Sequence, residues 1–231
     1  KQIISMRARY QNYRSYATAS MDQLLTGEQR AQALRVSSNY ALSGYFENLG
    51  GGKFRIRPLP AEAQLSMLNG MVAEDFNGDG NLDLAINGND FGTEVTVGRY
   101  DALNGLVLLG DGKGNFRPLR ILESGIFIPG NGKALTRLQS ATGGYLLAAT
   151  QNRGPLKVFL LKRDTRTIPV AADEVSAEIR YADGRIQKRE LYYGSSFLSQ
   201  SARAIDLTAG VSSVSVTDHS GKVRVIRLGG R

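Results

Sequence analysis

The chain has 231 residues, 42% of them hydrophobic, no cysteine and one histidine, and 29 Lys and Arg against 21 Asp and Glu give it a formal net charge of +8. This is a globular composition, and it excludes disulfides, thiolate metal sites and a multi-histidine zinc centre. No apolar run reaches membrane-spanning length, so no membrane insertion is expected.

The basic balance raises nucleic acid as a partner, but its distribution argues otherwise. Residues 74 to 101 hold seven acids and a single base, Arg99, while bases such as Lys53, Arg55, Arg57, Arg117 and Arg120 are spread out as on a solvated sheet face. No nucleic-acid partner is expected. The chain opens at Lys1 without a signal-like apolar segment and reads as a processed or excised piece.

Residues 1 to 42 read as a partly helical lead-in. Ser20 before Met21-Asp22-Gln23 and Thr26 three positions ahead of Gln29 are helix starts, whereas Tyr10, Tyr13 and Tyr16 would drift around a helix instead of holding one stripe. From Ser43 the pattern becomes strand, turn, strand: Tyr45 to Asn48, a glycine turn at Gly50 to Gly52, then Lys53 to Arg57 with apolar and charged residues alternating.

The stretch the chain is organised around is Asp75-Phe-Asn77-Gly-Asp79-Gly-Asn81-Leu-Asp83. It places oxygen-bearing side chains at every second position of a glycine-rich turn. Asp75, Asn77, Asp79, Asn81 and Asp83 are therefore candidate ligands for a hard cation, with Ca²⁺ preferred over Mg²⁺ because so many protein oxygens are offered together. A helix-flanked EF-hand is excluded, since its twelfth position needs a glutamate and here it is Ile86. The apolar runs on either side, Met71-Val72-Ala73 and Leu84-Ala85-Ile86, read as strands, which makes the loop a calcium-tied hairpin.

This loop resembles the FG-GAP and VCBS repeats of integrin-type β-propellers, whose blades carry an Asp-x-Asx-x-Asp-Gly-x-x-Asp loop. The resemblance implies a partial β-propeller over residues 43 to 165. A second hairpin, Leu106 to Leu109 and Phe116 to Leu119, follows the first with Phe54 and Phe116 62 positions apart, a spacing that could hold one blade. The same offset carries the calcium hairpin onto residues 133 to 148 with Arg137, Ala141 and Tyr145 in place of Asp75, Asp79 and Asp83. That segment is expected to be metal-free. So few units do not close a ring, so upstream blades or another chain would cover the open edge.

Leu156 to Leu161 reads as a last strand running into a charged connector that ends near Pro169. Residues 172 to 231 read as a small antiparallel β-domain, with strands at 175 to 180, 186 to 192, 204 to 207, 211 to 216 and 222 to 226. Within it, Gly194-Ser-Ser-Phe-Leu-Ser-Gln200 is similar to the Gly-x-x-Tyr-x-Ser-Gln segment of the ASPIC/UnbV domain, which commonly follows VCBS repeats. The chain departs from that family at Phe197, and at Leu207 to Gly210 and Thr217 to His219, where the family has Phe-Gly-Leu-Gly and Trp-Pro.

No catalytic constellation stands out. His219 lies beside Asp218 and Ser220, and immediate neighbours do not form the relay of a triad. Gly110 to Asn115 is glycine-rich but lacks a phosphate-loop Lys-Ser or Lys-Thr. The expectation is a mostly β, non-catalytic, calcium-stabilised binding or assembly module. Resemblance to exported VCBS proteins implies an extracellular or bacterial cell-surface, outer-membrane-associated setting. The partner would be a protein, the upstream blades or a glycan. The alternative is a piece of a larger hydrolase with its catalytic residues upstream.

Overall fold

A computed structural model of the chain describes residues 4–141, 144–161 and 166–228. Residues Lys1–Ala41 and Leu42–Arg231 form two compact units. The first holds four short helices, α1 (Ile4–Arg9), α2 (Tyr13–Ala17), α3 (Met21–Leu24) and α4 (Gly27–Gln32). Both expected starts are present. Thr26 and Gln29 form a reciprocal capping box, and at Ser20 the backbone N–H donates to Gln23 Oε1, so N–H groups at each helix start find partners. The tyrosines do not form a stripe: Tyr10 and Tyr16 meet edge to face at 5.7 Å, and Tyr13 is 90% exposed.

The second unit is built from antiparallel sheets. The hairpin of β1 (Gly44–Gly50) and β2 (Lys53–Pro58) precedes a four-stranded sheet, β3 (Leu68–Glu74), β4 (Asp83–Gly88), β5 (Leu106–Gly110) and β6 (Phe116–Leu119), ordered along the chain. A three-stranded sheet follows, β7 (Gly132–Gln139), β8 (Tyr145–Gln151) and β9 (Lys157–Leu160).

The four-stranded sheet is covered on both faces. Val72, Ala85 and Val107 pack with Leu135, Tyr145 and Leu147 of the β7–β9 sheet, while Ile86, Leu106 and Leu108 pack with Leu59 and Ala63 on the opposite side. Burial on both faces explains why β4 and β5 are almost continuously buried where a half-solvated strand would alternate. Tyr45 of β1 meets Phe116 of β6 edge to face at 5.8 Å. Among the described residues these sheets close into neither a barrel nor a ring.

The repeat offset fits β8, which begins at Tyr145, but not β7. The ladder pairs Arg137 with Leu147, just as it pairs Val72 with Ala85. Arg137 is therefore a strand residue and the counterpart of Val72, not of Asp75, and β7 runs on to Gln139 before a connection shorter than the calcium loop. Residues 142 and 143 of that connection, where a metal-free turn was expected, lie outside the described residues.

The C-terminal part combines a sheet ordered β12 (Ile186–Glu190), β11 (Glu174–Tyr181), β14 (Val211–Asp218) and β15 (Val223–Arg227) with a pair, β10 (Arg166–Pro169) and β13 (Ala204–Leu207). These enclose Ile168, Ala177, Ile179, Ile205, Val214 and Val216. The β10 strand corrects the expected connector. Arg-Thr-Ile-Pro is too short to show periodicity and ends in proline, but a terminal proline is tolerated at a sheet edge and Ile168 is buried opposite Ile205. The α-helical turn α5 (Ile121–Ser124), closed by Gly125 at φ 69°, was likewise not anticipated.

Glu174 gives this part an acid-sensitive contact. Its carboxylate accepts from Arg224 Nε at 2.7 Å and Nη2 at 2.9 Å and from the Ala171 N–H at 2.8 Å. The Arg224 hydrogen bonds, more than burial opposes, hold it below the usual carboxylate range. Its stabilising contribution is thus present above the unfolded pKa and lost as pH falls through the folded one. Denaturant unfolding of Glu174→Gln should fall short of the wild type at neutral pH, and the gap should close in acid.

Candidate functional site

Asp75 to Asp83 connects β3 to β4, two strands in register at Glu74 and Asp83. The loop folds on its own side chains. Asp75 Oδ1 accepts from the Gly78 N–H at 2.6 Å and Oδ2 from the Gly80 N–H at 3.0 Å. Asn77 Oδ1 accepts from the Asp79 N–H at 3.0 Å, and Asp79 Oδ1 from the Asn81 N–H at 2.8 Å. Gly78 and Gly80 sit at φ 88° and 84°, which glycine adopts without strain. These bonds hold the loop in a curl of consecutive side-chain-to-backbone turns.

Asp83 anchors the far end. It is fully buried, and its two oxygens accept from the Phe76 N–H at 2.8 Å and the Gly110 N–H at 2.9 Å, tying the loop to the end of β5. Burial pushes its pKa up against those two bonds, and the charges of Asp79 and Asp75 add to the rise. A carboxylate that is desolvated and repelled by two others is the kind of group a cation would relieve.

The structure gathers the five predicted residues into one loop without closing a shell. Asp75 is buried, Asn81 half-buried, and Asn77 and Asp79 exposed. Among the described residues no three His, Cys, Asp or Glu side chains form a group that could hold a metal ion. Asn77 Nδ2 bonds Asp79 Oδ2 at 2.9 Å, and the Asn81 side chain lies over Gly112, whose Cβ would fall 2.5 Å from Asn81 Oδ1. The donor set suits calcium in kind, being all oxygen, with carboxylate lone pairs left beyond the amide bonds.

The glycines of residues 110 to 114 serve close packing. A Cβ on Gly110 would fall 2.2 Å from Leu82 O, and one on Gly114 1.8 Å from Tyr45 Oη. An open cleft of about 560 Å³ beside the loop is lined by Asn77, Asp79 and Asn81 on one side and Asp111, Asn115 and Arg117 on the other.

The segment after β4 is partly internal. Asn87 and Asn89 are fully buried: Asn87 accepts from the Gly70 N–H and donates to Ala134 O, and Asn89 donates to Leu103 O and Gly130 O. Its exposed part is the tip beyond the Asp90–Tyr100 bridge, where Val95 is 96% exposed. His219 is exposed in the turn between β14 and β15, and the Asp218 carboxylate is engaged by Ser220 and Lys222. No protein-family model matches the chain, and no curated protein matches it.

Proposed function

We propose that the chain is a non-catalytic, calcium-stabilised binding or assembly module of an exported or cell-surface protein. In this reading residues 43 to 165 are part of an FG-GAP/VCBS-type β-propeller, and residues 172 to 231 are an ASPIC/UnbV-like domain. The observation that carries it is the buried, upward-shifted Asp83 closing a loop of oxygen donors between two core strands. Calcium would neutralise that loop and tie β3, β4 and β5 together at one end.

The propeller reading draws support from the stacked sheets and from one unequal pair of positions. Leu108 is fully buried, whereas Phe46, 62 positions earlier in the equivalent hairpin, is 66% exposed. Among the described residues the hairpin of β1 and β2 has no third strand, and it turns Phe46 outward where the next unit buries Leu108. A further unit of the same type fits that face, in line with a partner supplied by upstream blades. A nucleic-acid role is disfavoured because many bases are already paired: Arg55 and Arg57 with Glu47, Arg137 and Arg189 with Glu74, and Arg224 with Glu174.

Thermal melts with and without calcium test the reading. The wild type should melt higher with millimolar calcium, by mass action on the folded state. Asp79→Ala, which alters an exposed donor, should melt as the wild type does without calcium and gain nothing from it. A wild-type melt indifferent to calcium would refute the metal role.

A further inference from the structure

We propose that the C-terminal module is an intramolecular edge cap, docked on the edge strands β3 and β7 by a buried ionic latch of Glu74, Arg137, Arg189 and Asp206. Each side of the junction contributes one acid and one base: Glu74 from β3 and Arg137 from β7, Arg189 from β12 and Asp206 from β13. Arg137 Nη1 lies 3.0 Å from Glu74 and 2.8 Å from Asp206, and Arg189 Nη1 lies 2.8 Å from Glu74. The side chains are between 4% and 14% exposed. Arg137 also donates to the carbonyls of Ala202 and Ala204 and lies 5.6 Å from the centre of the Tyr145 ring.

The covered edges are those that β3 and β7 do not use in their own sheets. Among the described residues each pairs with one strand, β4 or β8. On the other side the Met71 N–H donates to Ser196 Oγ at 3.2 Å, the Arg137 N–H donates to Ser201 Oγ at 3.1 Å, and the Ala202 N–H donates to Arg137 O at 2.7 Å. Residues 194 to 202 thus run across both edges as a strap. The strap is held in shape by its own bonds, with the Ser201 N–H donating to Ser195 Oγ at 2.7 Å and the Gly194 N–H to Gln200 Oε1 at 2.5 Å.

A buried set of two acids and two bases is a selective contact more than a strong one. Desolvation offsets much of the attraction, but any misplaced docking leaves a charge buried and unpaired. Unpaired strand edges invite strand addition from other chains, and covering them is a known defence. A buried charge orphaned in either cross-junction pair is therefore what would undock the cap and expose β3 and β7.

Hydrogen exchange and sedimentation on the full chain test this with two variants. In Arg189→Gln, Glu74 loses its ion-pair partner from across the junction and keeps Arg137 on its own side. The amides of Met71, Arg137 and Ala202 should exchange at least tenfold faster while β11 and β14 keep their protection, and the variant should self-associate with rising concentration. In Glu74→Met/Arg189→Met, no orphaned charge is left from that pair, and protection should return to near the wild-type level. Unchanged exchange in Arg189→Gln, acceleration of all strands alike, or a double variant as unprotected as the single one would overturn the latch. Faster exchange without self-association would overturn the role as a cap.

Discussion

Asp83→Ala should destabilise the metal-free chain by about 2 kcal/mol or more at neutral pH. Removing the carboxylate leaves the Phe76 and Gly110 N–H groups without their acceptor in a fully buried position, and an orphaned buried donor costs about 1–3 kcal/mol. Relief of the desolvated charge offsets part of that cost. The folded pKa of Asp83 is raised, so its contribution is fully present below the unfolded pKa and declines as pH rises through the folded one. The gap between wild type and Asp83→Ala should therefore widen in acid, opposite to Glu174→Gln. Asp79→Ala is the control, since Asp79 is exposed and its removal should stay within about 0.5 kcal/mol without metal. Equilibrium unfolding in denaturant, with chelator present, measures all of these.

Gly70→Val should be comparably severe for a different reason. Gly70 lies where β3 passes β7, and an added Cβ would fall 2.5 Å from Leu135 N, 2.7 Å from Lys133 O and 2.5 Å from Asn87 Oδ1. Two of those neighbours are backbone, so the sheets must separate. Overpacking of this kind costs about 1–3 kcal/mol, occasionally more, and here it also strains the Asn87 side chain that bonds Gly70 N–H and Ala134 O. Gly27→Ala, with nothing within 4 Å of the added atom, should be neutral or mildly stabilising by the same assay. Equal tolerance at the two glycines would contradict the close approach of β3 and β7.

Strands with strong local signals were legible in the sequence. Alternation marked β2 and the glycine turn before it marked β1, the hairpin of β5 and β6 showed as two apolar runs about a glycine-rich turn, and Ser20 and Thr26 announced α3 and α4, because each of these is fixed by contacts a few residues apart. The loop and its five oxygen-bearing residues were readable for the same reason. The remainder depends on partners distant in sequence. Arg137 looked like a lost metal ligand, and only the register of β7 against β8 makes it a strand residue. Its carboxylate partners lie 63 and 69 positions away, at Glu74 and Asp206, a separation that no local pattern encodes. Asparagine is commonly exposed, and Asn87 and Asn89 are buried because the turns around them offer backbone groups to satisfy their amides. β10 was hidden by its length and its proline.

The most direct test of the central claim is calorimetric titration of the chelator-stripped chain with calcium. One site per chain is expected, with a dissociation constant in the range of about 10⁻⁴–10⁻³ M that serves extracellular modules, absent in Asp79→Ala and much weaker for magnesium. No heat of binding to the unaltered chain, or binding that survives Asp79→Ala unchanged, would contradict a calcium site at Asp75 to Asp83.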